Sequence, residues 1–214
     1  MILTGDILLQ VIAPQQFKTI PWKNGLGETT ELAINDGGNL ECFDWRLSIA
    51  SVINDGVFSD FSGYQRNLVL IAGQGLVLEH DDKSSDNLAN LLDIASFDGA
   101  CQTFGKLSAG AIKDFNIITN KKKILPQVSC YITAQAVTVS LAKTSLFFAF
   151  SLTGEMNVEV NVKNVKKEKS IVPQGHLLKT SFADEAHDKG EYTFKISGEN
   201  MILIQLQPNE VDPI

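Results

Sequence analysis

Asp44-Trp45-Arg46-Leu47-Ser48-Ile49-Ala50, closed soon after by Asn54-Asp55-Gly56, is the stretch from which the fold is read. Successive side chains of an extended strand point to opposite faces, so Trp45, Leu47 and Ile49 share one face and Arg46, Ser48 and Ala50 the other. Asn-Asp-Gly is turn chemistry, and the apolar period is two, not 3.6. Upstream the same grammar repeats: Thr30, Leu32 and Ile34 alternate with Thr29, Glu31 and Ala33 before the turn Asn35-Asp36-Gly37-Gly38. Downstream, Asn67 to Ile71 and Leu76 to Leu78 flank Gly73-Gln74-Gly75, a hairpin signal. Leu88 to Ile94 stays open between helix and strand, with Phe97-Asp98-Gly99 behind it as a turn. In the second half Val137, Val139 and Leu141 alternate with Thr138 and Ser140, and two more hairpins follow around Thr153-Gly154-Glu155 and Ser197-Gly198-Glu199-Asn200. Long amphipathic helices are absent, which makes the chain all-β, as a sandwich or barrel. Ala72 to Leu78 and Leu152 to Val158 occupy comparable places, each strand, glycine turn, strand, and so point to a pseudo-duplication.

Composition sets the outer bounds. With 214 residues, 44% hydrophobic and 20% charged, the chain is ordinary globular protein and buries a full core without a disulfide or metal staple. A formal net charge of -7 works against a nucleic-acid partner, which demands clustered Lys and Arg. The basic runs Lys121-Lys122-Lys123 and Lys166-Lys167-Glu168-Lys169 lie between apolar segments and read as solvated turns. Cys42, Cys101 and Cys130 are odd in number and form no C-x-x-C pair, against a secreted disulfide framework. Met1 to Asp6 lacks the basic region of a signal peptide, and no apolar run approaches the ~20 residues of a membrane helix. A cytoplasmic location and no membrane partner are expected.

Unusual residues concentrate between Pro21 and Arg66. Pro21-Trp22-Lys23-Asn24-Gly25-Leu26-Gly27-Glu28-Thr29 joins an aromatic and a cation to a glycine-rich turn whose amides suit an anion. Its plainer reading is a β-turn with a surface lysine. Arg46 and Ser48 share one strand face, directed either to solvent or into a polar lumen, where an arginine makes a fork for a carboxylate. Phe58, Phe61 and Tyr64 are three apart and read as packing, and Arg66 follows as a second candidate cation. A metal cupin needs a His-x-His pair, whereas His80, His176 and His187 are scattered and His80 opens an acidic, exposed loop. No metal and no cofactor are expected, and no G-x-S-x-G elbow or P-loop occurs.

The ordered series Pro21 to Gly25 with Gly27, Thr29 and Glu31, then Asp44 to Ala50, Asp55-Gly56-Val57-Phe58-Ser59, Gly63, Arg66, Leu68, Gly73-Gln74-Gly75, Phe97-Asp98-Gly99 and Asp114-Phe115-Asn116 resembles the HutD/Ves family. The likeness covers roughly residues 20–120. It implies a bicupin, two cupin-like double-stranded β-helix (jelly-roll) barrels in one chain, with 1–214 as a single unit of two pseudo-repeats, 1–118 and 119–214. It also implies a cytoplasmic bacterial protein linked with histidine utilisation and a pathway intermediate such as formylglutamate or urocanate as ligand, or, in a Ves-like branch, a role in stress.

Three functions follow. The favoured one is a non-enzymatic binder of a small carboxylate, held by Arg46 with Lys23 or Arg66 assisting. Asn24, Thr29 and Ser48 then orient the ligand, and Trp22 and Phe58 supply apolar walls. The second is a cupin enzyme, metal-free or with a cryptic metal, using Glu28, Glu31 or Asp55 as acid–base groups. The third is a ligand-free regulatory protein that docks a partner, or a second copy as a homodimer, through its strands.

Overall fold

The structure, a computed structural model, describes residues 2–4, 7–22, 27–142, 144–162, 165–182 and 191–209. Strands follow one another through these residues: β1 (Ile2–Thr4), β2 (Ile7–Ile12), β3 (Lys18–Pro21), β4 (Gly27–Ile34), β5 (Trp45–Val52), β6 (Gly56–Val57), β7 (Tyr64–Ala72), β8 (Leu76–His80), β9 (Ser85–Leu88) and β10 (Ile94–Asp98). The series continues with β11 (Thr103–Leu107), β12 (Ile112–Asn120), β13 (Ile124–Tyr131), β14 (Gln135–Ala142), β15 (Leu146–Ser151), β16 (Met156–Val162), β17 (Val165–Val172), β18 (Leu177–Phe182), β19 (Glu191–Gly198) and β20 (Met201–Pro208). A 3-10 turn at Pro14–Gln16 is the one helical element among the described residues, and no helix there is long and apolar enough to cross a membrane. The all-β expectation holds because period-two patterning leaves each strand one apolar face to bury.

Two compact units divide the chain. One holds the residues up to Gln16 together with Pro126–Pro208, and the other holds Phe17–Leu125 and takes up the chain again at Asn209. The sequence places a boundary between residues 118 and 119, whereas the first strands pack with the second half. Their reason is pairing: β2 runs antiparallel to β18, Leu9 opposite Thr180, and Ile7 and Leu9 enter the core with Phe147, Val158 and Phe194.

Each unit has two sheets. In the Phe17–Leu125 unit the orders are β10-β7-β12-β5-β4-β3 and β6-β11-β8-β9; in the other they are β1-β2-β18-β15-β20-β13 and β14-β19-β16-β17. The inner pairings correspond, while the outer strands differ, β4 flanking β5 in one unit and β2 flanking β18 in the other. β7 lies between β10 and β12 as β15 lies between β18 and β20, and β8 lies between β9 and β11 as β16 lies between β17 and β19. The Gly73 and Gly154 turns, matched on strand grammar, therefore join equivalent strands, β7 to β8 and β15 to β16.

Local departures from the sequence expectation have local causes. Strict alternation over Thr29–Ile34 is interrupted where the β4–β5 register shifts between Glu31 and Ala33, a bulge at Leu32. The ambiguous stretch from Leu88 ends β9, turns at Leu92 with φ 66°, and starts β10 at Ile94. Phe97 and Asp98 still belong to β10, so the turn begins at Gly99.

The Gly73 turn fixes how β7 meets β8. Gly73 has φ 101°, and a Cβ there would stand 2.6 Å from the Ile112 side chain and 2.8 Å from the Ala111 carbonyl. Gly73→Ala is expected to lower stability by about 2–4 kcal/mol, the sum of left-handed strain and overpacking, read as a lower urea midpoint at unchanged slope.

Candidate functional site

A cavity of about 600 Å³ opens in the Phe17–Leu125 unit. Strand alternation builds its wall. On β5 every second residue, Arg46, Ser48 and Ala50, lines it; β12 contributes Asn116 and Ile118, and β7 contributes Arg66. Registry places Ser48 opposite Asn116, and Ile118 between Arg46 and Arg66, so polar side chains of three adjacent strands share one surface. Leu68, Leu70, Leu76, Leu78 and Ala95 belong to a buried apolar cluster against which the cavity residues Trp22 and Phe58 pack.

Six of the eight residues singled out from the sequence line this cavity: Trp22, Thr29, Arg46, Ser48, Phe58 and Arg66. Lys23 and Asn24 lie outside the described residues. Trp22 and Thr29 act on each other: the indole Nε1 donates to Thr29 Oγ1 at 2.8 Å, and Trp22 N donates to the Gly27 carbonyl at 2.9 Å. The ring rests on Gly27, where a Cβ would lie 2.9 Å from it and 2.3 Å from the Ser51 carbonyl, so only glycine admits that approach.

The two arginines differ. Arg46 faces the lumen and not solvent, and its Nε donates to Glu31 Oε2 at 2.7 Å, an ion pair in which both side chains are largely shielded. Glu31, considered above as an acid–base group, is thus the counter-charge of the arginine expected to grip the ligand. Arg66 is 4% exposed and forms no ion pair among the described residues. Its two terminal nitrogens donate to Ser59 O at 3.3 Å and Asn116 Oδ1 at 2.9 Å, and its Nε–H is buried without an acceptor. Phe58, Phe61 and Phe97 each place a ring centroid 5.2 Å from its Cζ. Cation–π attraction partly offsets the lost hydration. Burial still pulls the Arg66 pKa down to about 10, against the opposing pull of Asp114, and leaves it charged at neutral pH.

Behind Arg66 stands a group that the motif reading did not include in the site. Asp114, fully buried, accepts a hydrogen bond from Asn116 Nδ2 through Oδ1, and its Oδ2 has no partner. Asn116 therefore spans Asp114 and Arg66 with its two amide ends. Burial pushes the Asp114 carboxyl up to about 7, with Arg66 and the Asn116 bond holding it lower than burial alone would. Polar residues at 114 and 116, two apart in an apolar strand, are the sequence signal that marks this face.

His80 corrects another expectation. It is buried at 7% exposure, with Nδ1 2.9 Å from Thr103 Oγ1, Nε2 3.1 Å from Asp86 Oδ2, and its ring centroid 4.9 Å from that of Phe97. The acidic loop begins only after it, and its ring packs on Phe97, whose ring in turn meets Arg66. Among the other candidates, Glu28 is exposed, and Asp55, at the cavity edge, accepts the Leu107 amide at 2.8 Å. Burial pushes the Cys130 thiol up to about 12, which keeps it a protonated, unreactive side chain. Among the described residues no three His, Cys, Asp or Glu side chains gather as metal ligands. In the other unit a smaller cavity of about 290 Å³ has an uncharged lining that includes Gln127, Ser129 and Gln205.

Residues 14–202 match the family model HutD. An uncharacterized 21.2 kDa protein in the hutC 3′ region of Pseudomonas putida is 37% identical over 150 residues, 70% of this chain and 78% of that one. HutD from Pseudomonas fluorescens SBW25, solved in a formate condition, is 29% identical with a TM-score of 0.75, covering 94% of this chain and all of its own. A conserved protein of unknown function from Pseudomonas aeruginosa PAO1 has the same fold, with a TM-score of 0.78 over 94% of this chain and 99% of its own at 24% identity.

The Asp114 carboxyl has a pH signature. Its folded pKa lies above the ordinary 3.8, so between about pH 4 and 7 the folded state holds a proton that the unfolded chain has lost, and stability falls as pH rises through that window. Asp114→Asn keeps the acceptor for Asn116 and removes the charge. It is expected to melt close to the parent at pH 4.5 and to exceed it increasingly up to pH 7–8, by of order 3 kcal/mol. Melting curves across that range check the sign.

Proposed function

The chain belongs to the HutD family, and on that premise we propose that it is a cupin-like binding protein that holds a small carboxylate on Arg66. The family is associated with the histidine-utilisation region. The observation that carries the reading is the charge pattern of the cavity. Arg46 is already neutralised by Glu31, whereas Arg66 is desolvated, ringed by three phenyl groups and, among the described residues, hydrogen-bonded only to neutral oxygens. A carboxylate is the ligand class that such a guanidinium recognises, through charge-assisted bonds strengthened by low dielectric.

The volume suits one small molecule, since ligand cavities span roughly 300–1,000 Å³. Trp22 and Phe58 supply apolar walls, and Ser48, Thr29 and Asn116 supply polar contacts that orient the rest of the ligand. A cytoplasmic sensor that binds an intermediate of histidine degradation, such as N-formylglutamate or urocanate, fits this shape and the family's association. Correspondence of strand pairing between the two units supports reading the chain as a bicupin, with the charged lumen in one barrel and an uncharged lumen in the other.

Calorimetry and thermal shift with N-formylglutamate, urocanate and formate as the minimal carboxylate test this. Saturating ligand is expected to raise the melting point, because ligand at 100 times its Kd adds about 2.7 kcal/mol. Arg66→Gln is expected to weaken binding by roughly 30- to 150-fold, the equivalent of about 2–3 kcal/mol for charge-assisted bonds. The double change Arg46→Gln with Glu31→Gln, which removes the closed pair without leaving an unpaired charge, is expected to cost less. No shift with any of the three at millimolar concentration sinks the reading.

A further inference from the structure

We propose that Asp114 is the proton-storing counter-charge of the anion site, so that a carboxylate settling on Arg66 is bound together with one proton taken from solvent. This rests on the carboxylate reading above and concerns what the lumen does with the charge it receives.

In a shielded space each charge needs a counter-charge. From β5 and β4, Arg46 and Glu31 face the lumen as a closed pair. On β8, His80 is buried beside Phe97 with Asp86 of β9 on its Nε2. At the rim Asp55 is committed to the Leu107 amide. On β11, Lys106 pairs with Glu79 in solvent, and on β12 itself Lys113 points to the exposed side. What remains among the described residues is Arg66 of β7 and Asp114 of β12, joined through Asn116. When Asp114 is ionised, the two cancel. An added carboxylate then leaves one uncompensated negative charge in a low-dielectric lumen, a costly state. A proton on Asp114 removes that charge. Its Oδ2, buried and without a partner, is the atom available for the proton. The ordinary pKa of an aspartate places this exchange far below neutrality, but burial has already moved Asp114 to about 7, so the proton is exchanged where cells work.

Linkage turns this into a measurement. N-formylglutamate is the probe because its carboxylates stay ionised above pH 6. Titrations at pH 7.5 to 8 in two buffers of different ionisation enthalpy are expected to show uptake of roughly 0.5 to 1 proton per ligand. The Kd is expected to be flat below about pH 6.5 and to weaken toward tenfold per pH unit above about 7.5. Asp114→Asn, which mimics the protonated acid, is expected to show no uptake and to keep the low-pH affinity at pH 8. Binding by the parent without proton uptake and with a flat Kd overturns the role of Asp114 while leaving the carboxylate site intact. Uptake that persists in Asp114→Asn overturns it also, since another group then takes the proton. If no binding occurs between pH 6 and 9, the carboxylate reading fails and this inference fails with it.

Discussion

Arg66 carries a full charge into a β lumen, and the surrounding residues are arranged by the cost of that burial. A guanidinium removed from water must recover its hydration from fixed groups. Here the recovery comes from a carbonyl, an amide oxygen and three aromatic faces supplied by separate segments: Ser59 and Phe61 from the β6–β7 connection, Asn116 from β12 and Phe97 from β10. Each of those groups is itself held. His80 packs on Phe97, Asp114 accepts from Asn116, and Phe61 meets Phe43 and Tyr64 edge to face. Strands and the β6–β7 connection both contribute to this cage, and a displaced Arg66 would lose the groups that compensate its burial.

Comparison of the two units shows what the same strand pairing does with different side chains. In one, Phe147, Phe194, Met156, Val158 and Val160 fill the interior, and the remaining cavity is small and uncharged. In the other, Arg46, Ser48, Arg66 and Asn116 line a cavity of about 600 Å³. Side chains as polar as these cannot close-pack without leaving polar atoms unsatisfied, so a lumen lined by them stays open.

Much of this was legible in the chain itself. Alternation of Trp45, Leu47 and Ile49 with Arg46, Ser48 and Ala50 determined that strand and its two faces, and the glycine turns at 73–75 and 154 matched the equivalent hairpins of the two units. Ordered motifs from Pro21 to Asn116 determined the family, and six of the eight chosen site residues line one cavity. These features are local, set by period and turn chemistry within a few residues, and local physics is what a sequence displays directly.

Only the tertiary structure decided the rest, because each remaining question concerned a partner distant in the chain. Whether Arg46 faced solvent or lumen depended on the strands beside it; Glu31, fifteen residues away, then made it a paired charge, whereas Arg66 is buried without an ion pair among the described residues. Asp114 became a titratable group near neutrality through burial and through Arg66, a residue 48 positions earlier brought near by the β7–β12 pairing. His80 passed from a loop to the core by meeting Thr103 and Phe97. Strand pairing joins segments without regard to their separation, so the sequence determined which faces exist, and the fold determined which charges meet across them.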